Sequence, residues 1–404
     1  MVRTTDGAKG SYARECGRIF TDFLRLGCHS FGGPVAHIGY FQREFVERRR
    51  QLSDKGFAGL VALCHFLPGP SSSQLGMALG YQRAGIAGSL AAFAGFTLPS
   101  AILMLAAALW LMRWPESSWL AGVMHGLKVF AVAVVMDALW QMGQKLSRGL
   151  PRLAITLSVA ALVLLWRSPW SQIVAIAAAA LCGALWLRGR VPMPSSEVLA
   201  RPGSGRLASL ALILFGLLLL SALLGWGLVG GELFDSFYRA GALVFGGGHV
   251  VLPLLEQQPL VHQLPTEDFL FGYSLAQAVP GPMFTLATYL GTLLGIQDGA
   301  PVAGAVVATI AIFLPGWLLL LGVMPHWGAL QSWRLAAAAI AGVGAAAVGL
   351  LLAALINPVW PAAIRGVEDL LSLAVFFVCL KWLRLPLWLL VPLAAAVGAL
   401  RVLI

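Results

Sequence analysis

Charge is what this sequence has least of: Asp, Glu, Lys and Arg make up 11% of it, against 59% hydrophobic residues. That much apolar surface needs lipid to cover it, which excludes an ordinary soluble domain. Five cysteines (Cys16, Cys28, Cys64, Cys182 and Cys379) lie scattered without a CxxC pair. This excludes a disulfide framework and a zinc site and leaves them as small apolar packing residues. There is no GxxxxGK[ST] phosphate loop, so ATP is not expected to drive the protein. The first fifteen residues hold Arg3, Lys9 and Arg14 but no apolar core followed by a small-residue cleavage site. No signal peptide is therefore expected to be removed.

What is present is a series of long uncharged apolar runs, among them 85–112, 207–231 and 301–325. They predict an all-α polytopic membrane protein. The formal net charge of +10 sits mostly in short loops, where Lys and Arg orient a membrane chain, and nucleic acid is not the expected partner. Two pairs of breaks punctuate the runs. The first copy has Phe31-Gly32-Gly33-Pro34 and Pro68-Gly69-Pro70, and the second has Phe245-Gly246-Gly247-Gly248 and Pro280-Gly281-Pro282. Arg25-Leu26-Gly27 matches Arg239-Ala240-Gly241, Leu98-Pro99 matches Leu314-Pro315, and Gly126 matches Gly342, so one unit is written twice.

The copies are expected to be inverted. The loop 43–55 carries Arg43, Arg48, Arg49, Arg50 and Lys55, whereas 256–268 has no Lys or Arg. Lys and Arg mark the cytoplasmic side, so the two loops face opposite ways. The loop 188–206, with Arg188, Arg190, Arg201 and Arg206, is expected on the cytoplasmic side with 43–55. That requires an even number of crossings between them, and five apolar segments are found. One must enter and return, and 57–80, broken at Pro68-Gly69-Pro70, reads as that re-entrant hairpin. The same reading makes 16–55 a second hairpin, broken at Gly32-Gly33-Pro34. The expected units are a first repeat over 1–190, a linker with an unmatched helix over 191–231, and a second repeat over 232–404.

A half-helix that starts inside the membrane points free amides and partial positive charge at an anion. After the first Pro-Gly-Pro break come Ser71, Ser72, Ser73 and Gln74, and after the second Thr285 and Thr288. These are donors suited to a tetrahedral oxyanion, or else caps for the helix. Gly32, Gly33, Gly246 and Gly247 would let backbone approach the ligand closely. Arg25 and Arg239 lie inside apolar segments, where a charge costs about 2.5–3.5 kcal/mol unless paired or functional. They either bind the anion or snorkel to the interface, with Asp22 and Asp235 as helix-face partners. Lys128, near His125 and Asp137, is a further cation for an anion or a proton path. His37, His65, His249 and Glu256 are candidates for proton linkage.

With these residues, the sequence resembles the chromate ion transporter family in its long, two-domain form. The resemblance rests on Phe31-Gly32-Gly33-Pro34 with Arg43-Glu44-Phe45-Val46, and on Phe66-Leu67-Pro68-Gly69-Pro70 with Ser72-Ser73-Gln74 and Gly76. In the second half it rests on Phe245-Gly246-Gly247-Gly248-His249-Val250-Val251-Leu252-Pro253 and Ala276-Gln277-Ala278-Val279-Pro280-Gly281-Pro282. The resemblance implies a bacterial inner-membrane exporter of chromate that confers chromate resistance, with sulfate as a competing analogue, no cofactor, and a homodimer among the assemblies it allows. A transporter of sulfate or another oxyanion is the alternative cargo reading. An intramembrane lipid-phosphate phosphatase is the alternative of another class. Asp22, Asp137 and Asp235 are too scattered to supply its acids or a metal site, so no enzyme is expected.

Overall fold

The computed structural model describes residues 5–111, 118–166, 168–189, 205–245, 247–331 and 333–403. The secondary structure of the described residues is all helical, with no strand among them. The first copy contributes α1 (Thr5–His29), α2 (Gly33–Phe41), α3 (Asp54–Phe66), α4 (Ser71–Leu111), α5 (Ser118–Leu146), α6 (Leu150–Leu165) and α7 (Pro169–Trp186). The unmatched helix is α8 (Gly205–Leu224). The second copy contributes α9 (Gly231–Leu243), α10 (Val251–Glu256), α11 (Thr266–Ala278), α12 (Leu286–Gln297), α13 (Pro301–Val323) and α14 (Trp327–Gln331). It continues with α15 (Arg334–Ala354), α16 (Trp360–Ala363), α17 (Val367–Lys381) and α18 (Leu387–Leu403). Among the described residues, five helices are long and apolar enough to cross a membrane: Ser71–Leu111, Trp119–Leu146, Gly205–Leu224, Pro301–His326 and Arg334–Ala363. On α8, Leu210, Ile213, Leu217 and Leu224 are exposed, a stripe that lipid would cover.

The breaks fall where glycine and proline forbid regular helix. Gly32 adopts φ 99° ahead of α2, a left-handed value that a side chain disfavours. Pro68-Gly69-Pro70 separates α3 from α4, and Ser53 caps the start of α3 by accepting from the Gly56 amide at 3.1 Å. A further break at Ala84–Gly85 divides α4 into a short arm and a long one. Arg49 and Arg83 lie beyond the first and second breaks, yet both bond Asp22, at 2.6 and 3.0 Å. The chain therefore returns after each break to the level from which it left. This corrects the expected Arg25–Asp22 pairing, because Asp22 is already taken by two arginines. Likewise Asp235 accepts from the Gly227 amide at 2.9 Å and does not pair with Arg239.

Glycine makes the helix contacts close, which is how helices associate where water offers no hydrophobic drive. Gly27 lies against the Phe96 carbonyl and Gly241 against that of Ile312, at matching places in the two copies. Gly80 and Gly88 face each other across the bend in α4, as Gly291 and Gly304 do between α12 and α13. The later helices exchange partners. α5 packs on α17 and α18 of the second copy, while α15 packs on α6 and α7 of the first. Gly126 against Ala394 and Gly342 against Ala179 seat the two exchanged pairs. The result is one interleaved block from both copies, beside a second body built from the broken helices.

Candidate functional site

The four breaks converge. The Gly69 amide donates to the Val244 carbonyl at 2.8 Å, and the Gly281 amide donates to the Ser30 carbonyl at 2.9 Å. Each Pro-Gly-Pro break of one copy is thus bonded to the Phe-Gly-Gly break of the other. Backbone donors and acceptors at such depth must find protein partners, and the crossed pair supplies them. Gln74 adds to the joint, donating from Nε2 to the Pro68 carbonyl at 2.9 Å and to the Gly316 carbonyl at 3.1 Å.

A cavity of about 480 Å³ opens beside this junction. It is lined by Gly32, Pro34 and Ser71 from the first copy and Gly247, Gly248 and His249 from the second. His65, Asp137 and Gln141 also line it, together with Lys145 and Arg384, both exposed. A tetrahedral oxyanion fits there with several waters, each taking about 30 Å³. Lys145 and Arg384 stand against one carboxylate, Asp137, so the lining carries more positive than negative charge. No group of three His, Cys, Asp or Glu able to hold a metal ion occurs among the described residues.

The structure brings only some of the expected residues together here. Gly32, Ser71 and Gly247 line the cavity, and Gly33 is adjacent at the start of α2. Gly246 lies outside the described residues. Ser72, Gln74 and Thr285 are buried and occupied within the protein: Ser72 Oγ meets His37 Nδ1 at 3.2 Å, Thr285 Oγ1 donates to the Pro282 carbonyl at 2.8 Å, and Gln74 bonds as above. Ser73 is buried too, its hydroxyl without a hydrogen-bond partner. Arg25 is exposed on α1, away from the cavity lining. Arg239 donates to Gln258 Oε1 at 2.8 Å and to the Ala222 carbonyl at 3.1 Å. Lys128 is buried and donates to Glu267 Oε1 at 2.7 Å. That bond holds the Glu267 carboxyl below its ordinary pKa of 4.5. Lys145 and Arg384 do not stand out in the sequence, where cations in short loops signal only orientation.

The chromate transporter family model matches residues 17–184 and again 231–399. The chain belongs to the chromate transporter family. Both matched segments include a full pair of breaks, so the family unit occurs twice and each copy supplies half of the junction. The chain is 27% identical over 405 residues to a chromate transport protein of Cupriavidus metallidurans, covering 93% of this chain and 90% of that one. It is 29% identical over 363 residues to a chromate transport protein of Pseudomonas aeruginosa, with 84% and 80% covered. An uncharacterized transporter of Methanocaldococcus jannaschii is 26% identical over 319 residues, with 78% and 77% covered. No solved structure matches the chain significantly. The chromate transporter family is one of membrane transporters and not of enzymes, which agrees with the lack of clustered carboxylates in the apolar segments.

Proposed function

We propose that this protein exports chromate from the cytoplasm across the bacterial inner membrane, by alternating access between two inverted copies that run over 1–190 and 232–404 and are joined through 191–231. The observation that carries the reading is the crossed bonding of the four breaks beside a cavity of net positive lining. Tetrahedral dianions are recognised by such backbone breaks and donors, and two relatives are named chromate transport proteins. Each break is read as the tip of a re-entrant hairpin, which for the two first-copy breaks is supported by the shared bonds of Arg49 and Arg83 to Asp22. The first-copy hairpins return toward Arg43, Arg48, Arg50 and Lys55, and the positive-inside rule puts that end in the cytoplasm.

In this conformation the cavity faces the basic end. At the far end, Glu267 ties Lys128 and Arg365 at 2.7 and 3.3 Å, and Asp369 ties His125 and Arg401 at 2.8 and 2.6 Å. A second cavity of about 510 Å³ at that end, lined by Ser168, Glu256, His262 and Asn357, is not lined by any of the breaks. Rocking of the broken-helix body on the interleaved block would close the first cavity and extend the second. A dianion leaving a negative interior gains about 4.6 kcal/mol at 100 mV, from about 2.3 per charge. Potential alone therefore suffices to drive export.

The test is chromate flux into inside-out vesicles under an imposed potential, with sulfate as competitor. Accumulation that follows an inside-positive potential, inhibited by sulfate, is the expected result. Flux of sulfate without flux of chromate would make sulfate the cargo, and no anion flux from correctly inserted protein would reject the proposal.

A further inference from the structure

Each Phe-Gly-Gly break is followed within a few residues by one histidine, and the structure uses the two differently. His37 is fully engaged: Nε2 lies 3.1 Å from the Ser30 carbonyl and Nδ1 lies 3.2 Å from Ser72 Oγ. A carbonyl can only accept, so the His37 proton is on Nε2, and Nδ1 accepts from the serine hydroxyl. Ser30 is also the carbonyl that receives the Gly281 amide. His37 thus fastens the first break and has no nitrogen left for a ligand.

His249 makes one such contact, Nδ1 to the buried Tyr273 hydroxyl at 3.0 Å. Its ring lines the cavity together with Gly247, Gly248 and Ser71. Nδ1 is the one hydrogen-bond partner of the Tyr273 hydroxyl among the described residues, and a buried phenol proton needs an acceptor, so the phenol donates to His249 Nδ1. A neutral ring that accepts at Nδ1 carries its proton on Nε2. The second histidine therefore presents a fixed donor toward the space that the first cannot reach.

We propose that His249 is an oxyanion-binding residue of this site, donating Nε2–H to the bound dianion, and that Tyr273 is the positioning residue that fixes its tautomer and ring. The inference rests on the transport reading above and names a side chain for the site. The ligand class is a tetrahedral dianion in which an oxygen, not a metal centre, receives the bond. The Ser71 hydroxyl lies in the same lining for another oxygen, and the exposed cations Lys145 and Arg384 complete it.

Inside-out vesicles carrying wild type, His249→Ala, His249→Gln and Tyr273→Phe test this, with chromate flux measured against chromate concentration. Loss of a hydrogen bond to a charged ligand corresponds to about ten- to hundredfold in affinity. His249→Ala is expected to raise KM by about that factor, with flux at saturation little changed. His249→Gln, whose amide places a donor near the lost Nε2, is expected to recover most of the affinity. Tyr273→Phe is expected to raise KM by less, and to have no further effect when added to His249→Ala. An unchanged KM in His249→Ala overturns the proposal. So does a His249→Gln protein that inserts normally and is as impaired as His249→Ala. Absence of chromate flux in the wild type would instead reject the transport reading on which the proposal stands.

Discussion

Gly69 and Gly281 carry the junction on bare backbone. Their φ angles are 118° and 106°, values that cost a side chain about 1–3 kcal/mol. A Cβ on Gly69 would meet the Gly316 Cα at 3.0 Å, and one on Gly281 would meet Ser100 Oγ at 2.9 Å. Both amides also donate across the junction. Gly69→Ala and Gly281→Ala are therefore each expected to cost more than 2 kcal/mol, on the order expected when strain and a close contact coincide. Gly143→Ala is the control: it lies within α5 with open space around a Cβ, and should be neutral or stabilising by up to about 1 kcal/mol. Thermal unfolding of the detergent-solubilised protein reads all three, and equal midpoints would remove the junction as a stability element. At this scale Gly32, Ser71 and Gly247 were legible in the sequence, because a break inside an apolar run has few other uses. Arg25 and Arg239 were misleading for the same physical reason that made them conspicuous: a charge in an apolar segment must be accommodated, and exposure does that for one and Gln258 for the other.

Lys128 and Glu267 join elements that are distant in sequence, the middle of α5 and the first turn of α11. Their exposures differ sharply, 2% for the lysine side chain and 50% for the glutamate. Lys128→Met frees a carboxylate that water and Arg365 can still solvate, whereas Glu267→Gln strands an ammonium in the interior. The second substitution is expected to be the worse, by roughly 1–3 kcal/mol, since an uncompensated buried charge dominates the cost. Comparable unfolding midpoints for the two variants would contradict the asymmetry. The pair also sets an acid limb. Because the folded carboxyl titrates below 4.5, its contribution is complete above that pH and is lost as pH falls through the lower, folded value. Glu267→Gln should flatten this limb of the stability profile. The helices and their breaks could be read from apolar length and from Pro-Gly-Pro. The exchange of α5 onto α18 could not, since Gly122, Gly126 and Gly398 advertise close contacts without naming the partner.

For the molecule as a whole, the interleaved block and the broken-helix body meet unequally at their two ends. α11 touches α5 and α18 at the end that Glu267 ties, while at the basic end the cavity separates the block from Ser71. Ser71 is thus a reporter of which end is open. With Cys16, Cys28, Cys64, Cys182 and Cys379 replaced, a Ser71→Cys protein should react with a membrane-impermeant maleimide added on the side of the basic loops, and hardly at all from the other side. Adding Glu267→Gln removes the far tie. If that tie holds the far end shut, the reaction from the far side should rise about tenfold for each 1.4 kcal/mol by which the equilibrium moves. The reaction from the basic side can fall by no more than the share of molecules that leave this conformation. Faster labelling from both sides together would mean loosened packing, and unchanged labelling from the far side would mean that the ion ties stabilise the protein without gating it.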